Sequence, residues 1–146
     1  MKKHLLFLVI AGFFGLNTFA QANKLVGLWL SQEENSHIEI TQAANGQFVG
    51  KIVWLKEPND EDGNPKLDKE NPNANLKSRP LLNLEILKGF TYNERKKEWS
   101  DGTIYDPKNG KTYKAFMKLD DDNTLSLRGF VGIRALGRTS KWTRVK

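Results

Sequence analysis

The 146-residue chain contains no cysteine and two histidines. Without thiols it forms no disulfide, carries no lipid on an N-terminal cysteine and offers no thiol nucleophile. His4 falls in the leader described below, which leaves His37 as the one imidazole for chemistry. A zinc site needs three or four nitrogen or sulfur ligands and does not find them here. A Ser-His-Asp triad would rest wholly on His37, and no serine sits in a G-x-S-x-G elbow, so His37 reads as an exposed strand residue. Calcium-loop spacing fails as well. With Gly63 at the sixth position, Pro58 takes the first and Lys69 the twelfth, where carboxylates are required. A carboxylate pair such as Asp101 with Asp106 has no advantage over many others. No catalytic residue, metal or cofactor is therefore expected.

Long apolar runs are also absent beyond the start of the chain. There, Lys2 and Lys3 precede the run from Leu5 to Phe14, and small residues follow around Ala20-Gln21-Ala22. This is the pattern of a cleaved secretory signal peptide, and the run is shorter than the roughly 20 residues that span a bilayer. The expected division is a signal peptide over 1–20 and one domain over 21–146, periplasmic or secreted and not membrane-spanning after cleavage. Without Lys2 and Lys3 the balance is 21 basic to 17 acidic residues, a mild excess. The basic cluster Arg134, Arg138, Lys141, Arg144 and Lys146 reads as the guard of an edge strand, or as an attraction for anionic envelope surfaces or a ligand carboxylate.

What the chain has is short runs of alternating apolar and polar residues separated by turn signals. They cover Val26–Leu30, His37–Thr41, Gln47–Lys56, Leu81–Tyr92, Trp99–Asp106, Lys111–Leu119, Thr124–Val131 and Arg138–Val145. Asn45-Gly46, Asp106-Pro107-Lys108-Asn109-Gly110 and Asp120-Asp121-Asp122-Asn123 join neighbours, and Asp101-Gly102 reads as a bulge. On Lys111–Leu119 the residues Tyr113, Ala115, Met117 and Leu119 share the inner face; on the third run the set Phe48, Gly50, Ile52 and Trp54 does. Leu84, Ile86, Phe90 and Tyr92 share one face of the fourth. Residues 57–80 break the pattern with four prolines and six acids, so they read as a long loop, either a lid or disordered, with one helical turn within Asn73–Ser78. The fold class expected is all-β: an eight- to nine-stranded antiparallel up-and-down barrel with little helix, a two-sheet sandwich being the other solution.

Two residue groups carry a resemblance. Gly27-Leu28-Trp29 on the first strand and Trp142-Thr143-Arg144 on the last resemble the calycin, or lipocalin-like, pattern, which implies that first and last strands pair and that Arg144 lies across Trp29 as a structural closure. More broadly, Gly50-Lys51-Ile52-Val53-Trp54-Leu55, Asp68 with Asn71-Pro72, Arg79-Pro80-Leu81, Gly102-Thr103-Ile104-Tyr105-Asp106-Pro107 and Arg128-Gly129-Phe130 through Trp142-Thr143-Arg144 are similar to a family of bacterial exported proteins called domain of unknown function 2147. The chain departs from it at Asn83, where that family usually has glycine, and at Asp101-Gly102-Thr103, where Gly-Gly often precedes Ile-Tyr-Asp-Pro. The resemblance implies export and a small barrel, and it assigns no activity.

The function expected is that of an exported, non-enzymatic binding protein holding a small apolar or amphipathic molecule in its barrel. Trp54, Tyr113 and Met117 would line the cavity, with Tyr105 and Arg128 as polar anchors at its mouth, although strict alternation points Arg128 outward. Nucleic acid is not an expected partner, since export and the small charge excess argue against it. The alternative is an envelope interaction or scaffold protein whose barrel is filled by side chains and whose partner surface is the 57–80 loop.

Overall fold

A computed structural model describes residues 14–146, with side chains from Phe19 onward. Lys2, Lys3 and most of the apolar run of the expected signal peptide lie outside the described residues. A helix, α1 (Phe14–Asn23), leads into eight strands: β1 (Gly27–Leu30), β2 (Ser36–Gln42), β3 (Phe48–Leu55), β4 (Glu85–Asn93), β5 (Glu98–Asp106), β6 (Lys111–Asp121), β7 (Thr124–Phe130) and β8 (Arg138–Arg144). Each pairs antiparallel with the next and β8 pairs with β1, so the sheet closes in strict sequence order. The eight-stranded up-and-down barrel holds, and the sandwich does not form.

The interior is solid. Trp29, Ile38, Ile40, Phe48, Leu87, Phe90, Met117 and Leu125 are fully buried there, with Trp99, Ala115, Leu127 and Trp142 nearly so. Strand alternation put them inside, and an eight-stranded barrel is just wide enough for side chains to fill. One end is sealed by the chain's own approach. The indole N–H of Trp29 donates to the Leu25 carbonyl at 2.9 Å, and that of Trp99 to the Ala22 carbonyl at 3.2 Å.

The seam that closes the ring is short. β1 and β8 share two residue pairs, Trp29 with Arg144 and Leu30 with Thr143. Val145 N–H extends it to the Leu28 carbonyl at 2.8 Å, and the Gln32 side chain accepts from Lys141 N–H at 2.9 Å, standing in for a missing strand residue. Arg144 supplies the rest. Its guanidinium lies 4.2 Å from the Trp29 ring and donates to the carbonyls of Asp122, Val26 and Lys24 at 2.8, 3.1 and 2.6 Å. That joins the N-terminal approach, the β6–β7 turn and β8 at one cation. A side chain at Gly27 would put its Cβ 2.5 Å from the Arg144 guanidinium, and Gly27 also has φ +148°. Only glycine fits there.

Bulges in three of the strand pairings redirect side chains that simple alternation placed elsewhere. Between His37 and Ile38 the β2–β3 register shifts, so Ile38 pairs with Ile52 but His37 with Trp54. Val53 is absorbed by the bulge, and Trp54 joins the outer face of His37 instead of the inner face of Ile52. In β4, Phe48 opposes Phe90, Gly50 opposes Leu87 and Lys51 opposes Glu85, so one extra β4 residue stands around Lys88-Gly89 and another at Ile86. Leu87 therefore points inward with Phe90, and Ile86 points out. The third, expected at Asp101-Gly102, shifts the β5–β6 register between Trp99 and Gly102. Strand β4 begins at Glu85 rather than Leu81, because Asn83 takes φ +68° and turns the chain before it. Asp101 has φ +63°. Asn83, and Asp101 within the departing Asp101-Gly102-Thr103 stretch, thus occupy left-handed backbone, which Asn and Asp tolerate better than other non-glycine residues.

Truncation of Arg144 to Ala removes the stacked cation and all three carbonyl caps at the shortest pairing of the barrel. The expected loss is about 1–3 kcal/mol in denaturant unfolding, with the strand content of the folded state unchanged.

Candidate functional site

The 57–80 segment is not a disordered tether. It runs down the outer wall of β4, β5 and β6 and is held by a chain of specific contacts. A short bridge joins Asn59 to Pro65 and another Leu67 to Pro80, and a 3₁₀ turn forms at Ala74–Leu76, inside the interval where a helical turn was expected. Asp68 N–H donates to the Arg79 carbonyl and Leu81 N–H to the Lys66 carbonyl, each at 2.9 Å, so the loop is pinned at its base.

Asp68 is the centre of this arrangement. The carboxylate is fully buried and accepts from the Tyr105 hydroxyl at 2.5 Å, the Asn71 amide at 2.8 Å and the Arg79 Nε at 2.8 Å. Burial alone would raise its pKa, but the hydrogen bonds from Tyr105, Asn71 and Arg79 together with the Arg79 charge outweigh it and hold the carboxyl below its ordinary value. Burial, and then the hydrogen bond to Asp68, push the Tyr105 hydroxyl the other way and keep it protonated as a donor. A buried charge is tolerable only when paired and hydrogen-bonded, and this one is. Tyr105 comes from β5, whereas Asp68, Asn71 and Arg79 all come from the loop. The cluster thus fastens the loop to the wall.

A second close approach fixes the other side. A Cβ at Gly110, in the β5–β6 turn, would come 1.9 Å from the Glu70 carbonyl oxygen, and the residue has φ +70°. The turn can press against the loop because glycine stands there. Between loop and wall lies a cavity of about 290 Å³ lined by Asn71, Pro72, Leu76, Arg79, Glu85, Ile86, Lys88, Thr103, Tyr105, Gly110 and Thr112. Its floor is apolar at Ile86, Pro72 and Leu76. Its polar groups are Arg79, whose terminal nitrogens make no hydrogen bond among the described residues and whose guanidinium lies 5.7 Å from the Tyr105 ring, together with Lys88, Glu85, Asn71, Tyr105 and the Thr103 and Thr112 hydroxyls.

The five residues expected to serve a ligand inside the barrel do not converge. Met117 is fully buried in the packed interior. Tyr113 faces inward near the mouth, where its hydroxyl accepts from the Asn109 amide at 3.0 Å. Trp54, displaced by its bulge, is 40% exposed and lies against His37 with ring centroids 4.3 Å apart. Arg128 points outward, as strict alternation required, and donates to the Arg134 and Ala135 carbonyls at 2.7 and 3.0 Å and to the Thr139 hydroxyl at 2.8 Å. Tyr105 alone of the five borders the cavity, and it does so from the outer wall. The residues that build the site with it, Asp68, Asn71 and Arg79, were visible in the sequence as family-like motifs without a role. A second, smaller cavity of about 180 Å³, bordered by Glu39, Thr41, Val49, Gly50, Lys51 and Glu85, has no comparable cluster of buried polar groups.

Replacing Asp68 by Asn keeps the shape but removes the charge that Arg79 answers, so the loop should open while the barrel persists. Amides of the loop, Asp68 and Leu81 included, should exchange hydrogen faster by an order of magnitude or more, corresponding to about 1–3 kcal/mol of lost local protection, with β6 and β7 unchanged. The wild-type clamp has a pH window as well. Asp68 has a depressed folded pKa, so its contribution is present above about pH 4 and fades as pH falls through the folded value. Tyr105 has a raised folded pKa, so its contribution is full below about pH 10 and is lost as pH rises further. Loop protection against pH should plateau between those limits.

The comparisons with known proteins agree with the architecture. HP1028 from the human pathogen Helicobacter pylori, described as belonging to the lipocalin family, superposes with a TM-score of 0.68 at 26% identity, over 84% of this chain and 83% of that one. No curated protein matches the chain. A lipocalin-like barrel suggests a binding protein. Residues 27–144, from the first residue of β1 to the last of β8, match the family described as "Uncharacterized protein conserved in bacteria (DUF2147)", and the chain belongs to that family.

Proposed function

We propose that the protein is an exported, non-enzymatic binding protein that holds a small amphipathic molecule in the groove between the 57–80 loop and the outer wall of β4–β6, not in the barrel interior. The observation that carries this reading is the pairing of a side-chain-filled interior with an ordered, Asp68-clamped loop over a cavity of about 290 Å³. Ile86, Pro72 and Leu76 suit an apolar body, and the two lining cations, Arg79 and Lys88, against one lining acid, Glu85, suit a carboxylate-like head. Export is supported by the leader pattern and by where burial begins. Phe19, Ala20 and Gln21 are exposed, whereas Ala22 is packed against the closed end. Cleavage before Gln21 would leave those contacts in place.

A second reading has its own observation. The loop carries an ordered hairpin at Asn59–Pro65 whose tip, Glu61-Asp62-Gly63, is exposed and acidic, a surface suited to a protein partner in the envelope. Native mass spectrometry of protein purified from its own envelope separates the two. The groove reading expects a retained small molecule, lost when Thr112→Trp fills the cavity. A bare wild-type protein with no thermal shift from carboxylate amphiphiles would contradict it, and a pull-down partner lost with the 59–65 tip would favour the second.

A further inference from the structure

The connector between β7 and β8 presents three large aliphatic side chains to solvent within six residues. Val131, Ile133 and Leu136 are 72, 60 and 77% exposed. Single exposed apolar residues are ordinary, but three on one short loop make a patch. This loop is held in place. It folds back along the outer wall of β6 and β7 as a flap with a 3₁₀ turn at Arg134–Leu136. Arg128 on β7 ties down the Arg134 and Ala135 carbonyls. Arg134 lies 4.0 Å over the Phe116 ring and makes two hydrogen bonds, of 3.1 and 2.8 Å, to Glu98, which is almost fully buried. Two arginines and a buried carboxylate therefore fix the flap with its aliphatic residues turned outward.

The charges around the flap select a partner. The outer wall of β5–β8 with the flap carries five cations, Lys114, Lys118, Arg128, Arg134 and Lys141, against three acids, Glu98, Asp101 and Asp120. Glu98 and Asp101 both face Arg134, and Asp120 pairs with Lys141. Lys114 is exposed with no partner among the described residues. From Asn123 to Lys146 the sequence contains no acid at all. A rigid loop with exposed aliphatic tips, set on a wall of net positive charge, fits the boundary of an anionic bilayer.

We propose that the flap docks the barrel on an anionic lipid surface, with Val131, Ile133 and Leu136 entering the acyl boundary and the β6–β7 wall facing the headgroups. The test is co-sedimentation with vesicles of phosphatidylcholine alone or with phosphatidylglycerol, using wild type and the triple variant Val131→Ser, Ile133→Ser, Leu136→Ser purified in the same way. The wild type should bind the phosphatidylglycerol vesicles in preference to the neutral ones, and high salt should weaken it. The triple variant should bind roughly tenfold or more weakly with an unchanged melting temperature, and Lys114→Ala about fivefold more weakly. Leu136→Ser alone serves should the triple variant fold poorly, and it too should bind measurably more weakly. Equal binding by wild type and variants, or none to anionic vesicles, overturns the proposal. So does a concentration-dependent dimer that the triple variant abolishes without any vesicle binding, which would make a second copy the occupant of the patch.

Discussion

The structure depends on a seam two residue pairs long. An eight-stranded sheet exposes two edges until its first and last strands meet, and β1, with four residues, meets β8 at Trp29–Arg144 and Leu30–Thr143. Such a short ladder would be the weakest part of the ring. Arg144 compensates by stacking on Trp29 and collecting three carbonyls from two segments, while Gln32 lends a side-chain acceptor where β1 has run out. Because the ring closes tightly around Trp29, Phe48, Phe90, Trp99 and Met117, the interior is a core. The groove of about 290 Å³ then lies on the outside of the wall.

The outer wall bears two irregular segments, one long and one short, and each is fastened by a buried carboxylate. Asp68 anchors the 57–80 loop to β5 through Tyr105, and Glu98 anchors the β7–β8 flap through Arg134. In both, one partner sits on the barrel and the other on the irregular segment, so the rigid sheet positions mobile-looking chain at low cost in order. The residues left facing outward differ in kind. Beneath the loop they form a sheltered groove with a basic end, and on the flap they form a convex aliphatic ridge.

Most of the strand plan was legible from alternation and turn signals, because period two and residues such as Asn45-Gly46 report local geometry. The outward turn of Trp54 and Ile86 was not, since bulges at Val53 and near Lys88-Gly89 depend on how a strand meets its partner. The Trp29–Arg144 contact was legible because pairing of the first and last strands brings those positions together. The clamp was hidden for the opposite reason: Tyr105 and Asp68 lie 37 residues apart, and nothing in a proline-rich acidic stretch announces which acid will be buried. Asn83 and Asp101, read as departures at turn positions, make sense once their positive φ values are known.

The central claim is that the ligand site lies on the wall under the loop, not within the barrel. Amide chemical-shift mapping during titration with sodium decanoate tests it most directly. The account predicts shifts concentrated at Asn71, Leu76, Lys88, Thr103 and Thr112, with Ala115, Met117 and Leu127 unmoved. Shifts concentrated at Ala115, Met117 and Leu127, with the groove silent, would show that the core opens to admit the ligand and would contradict it.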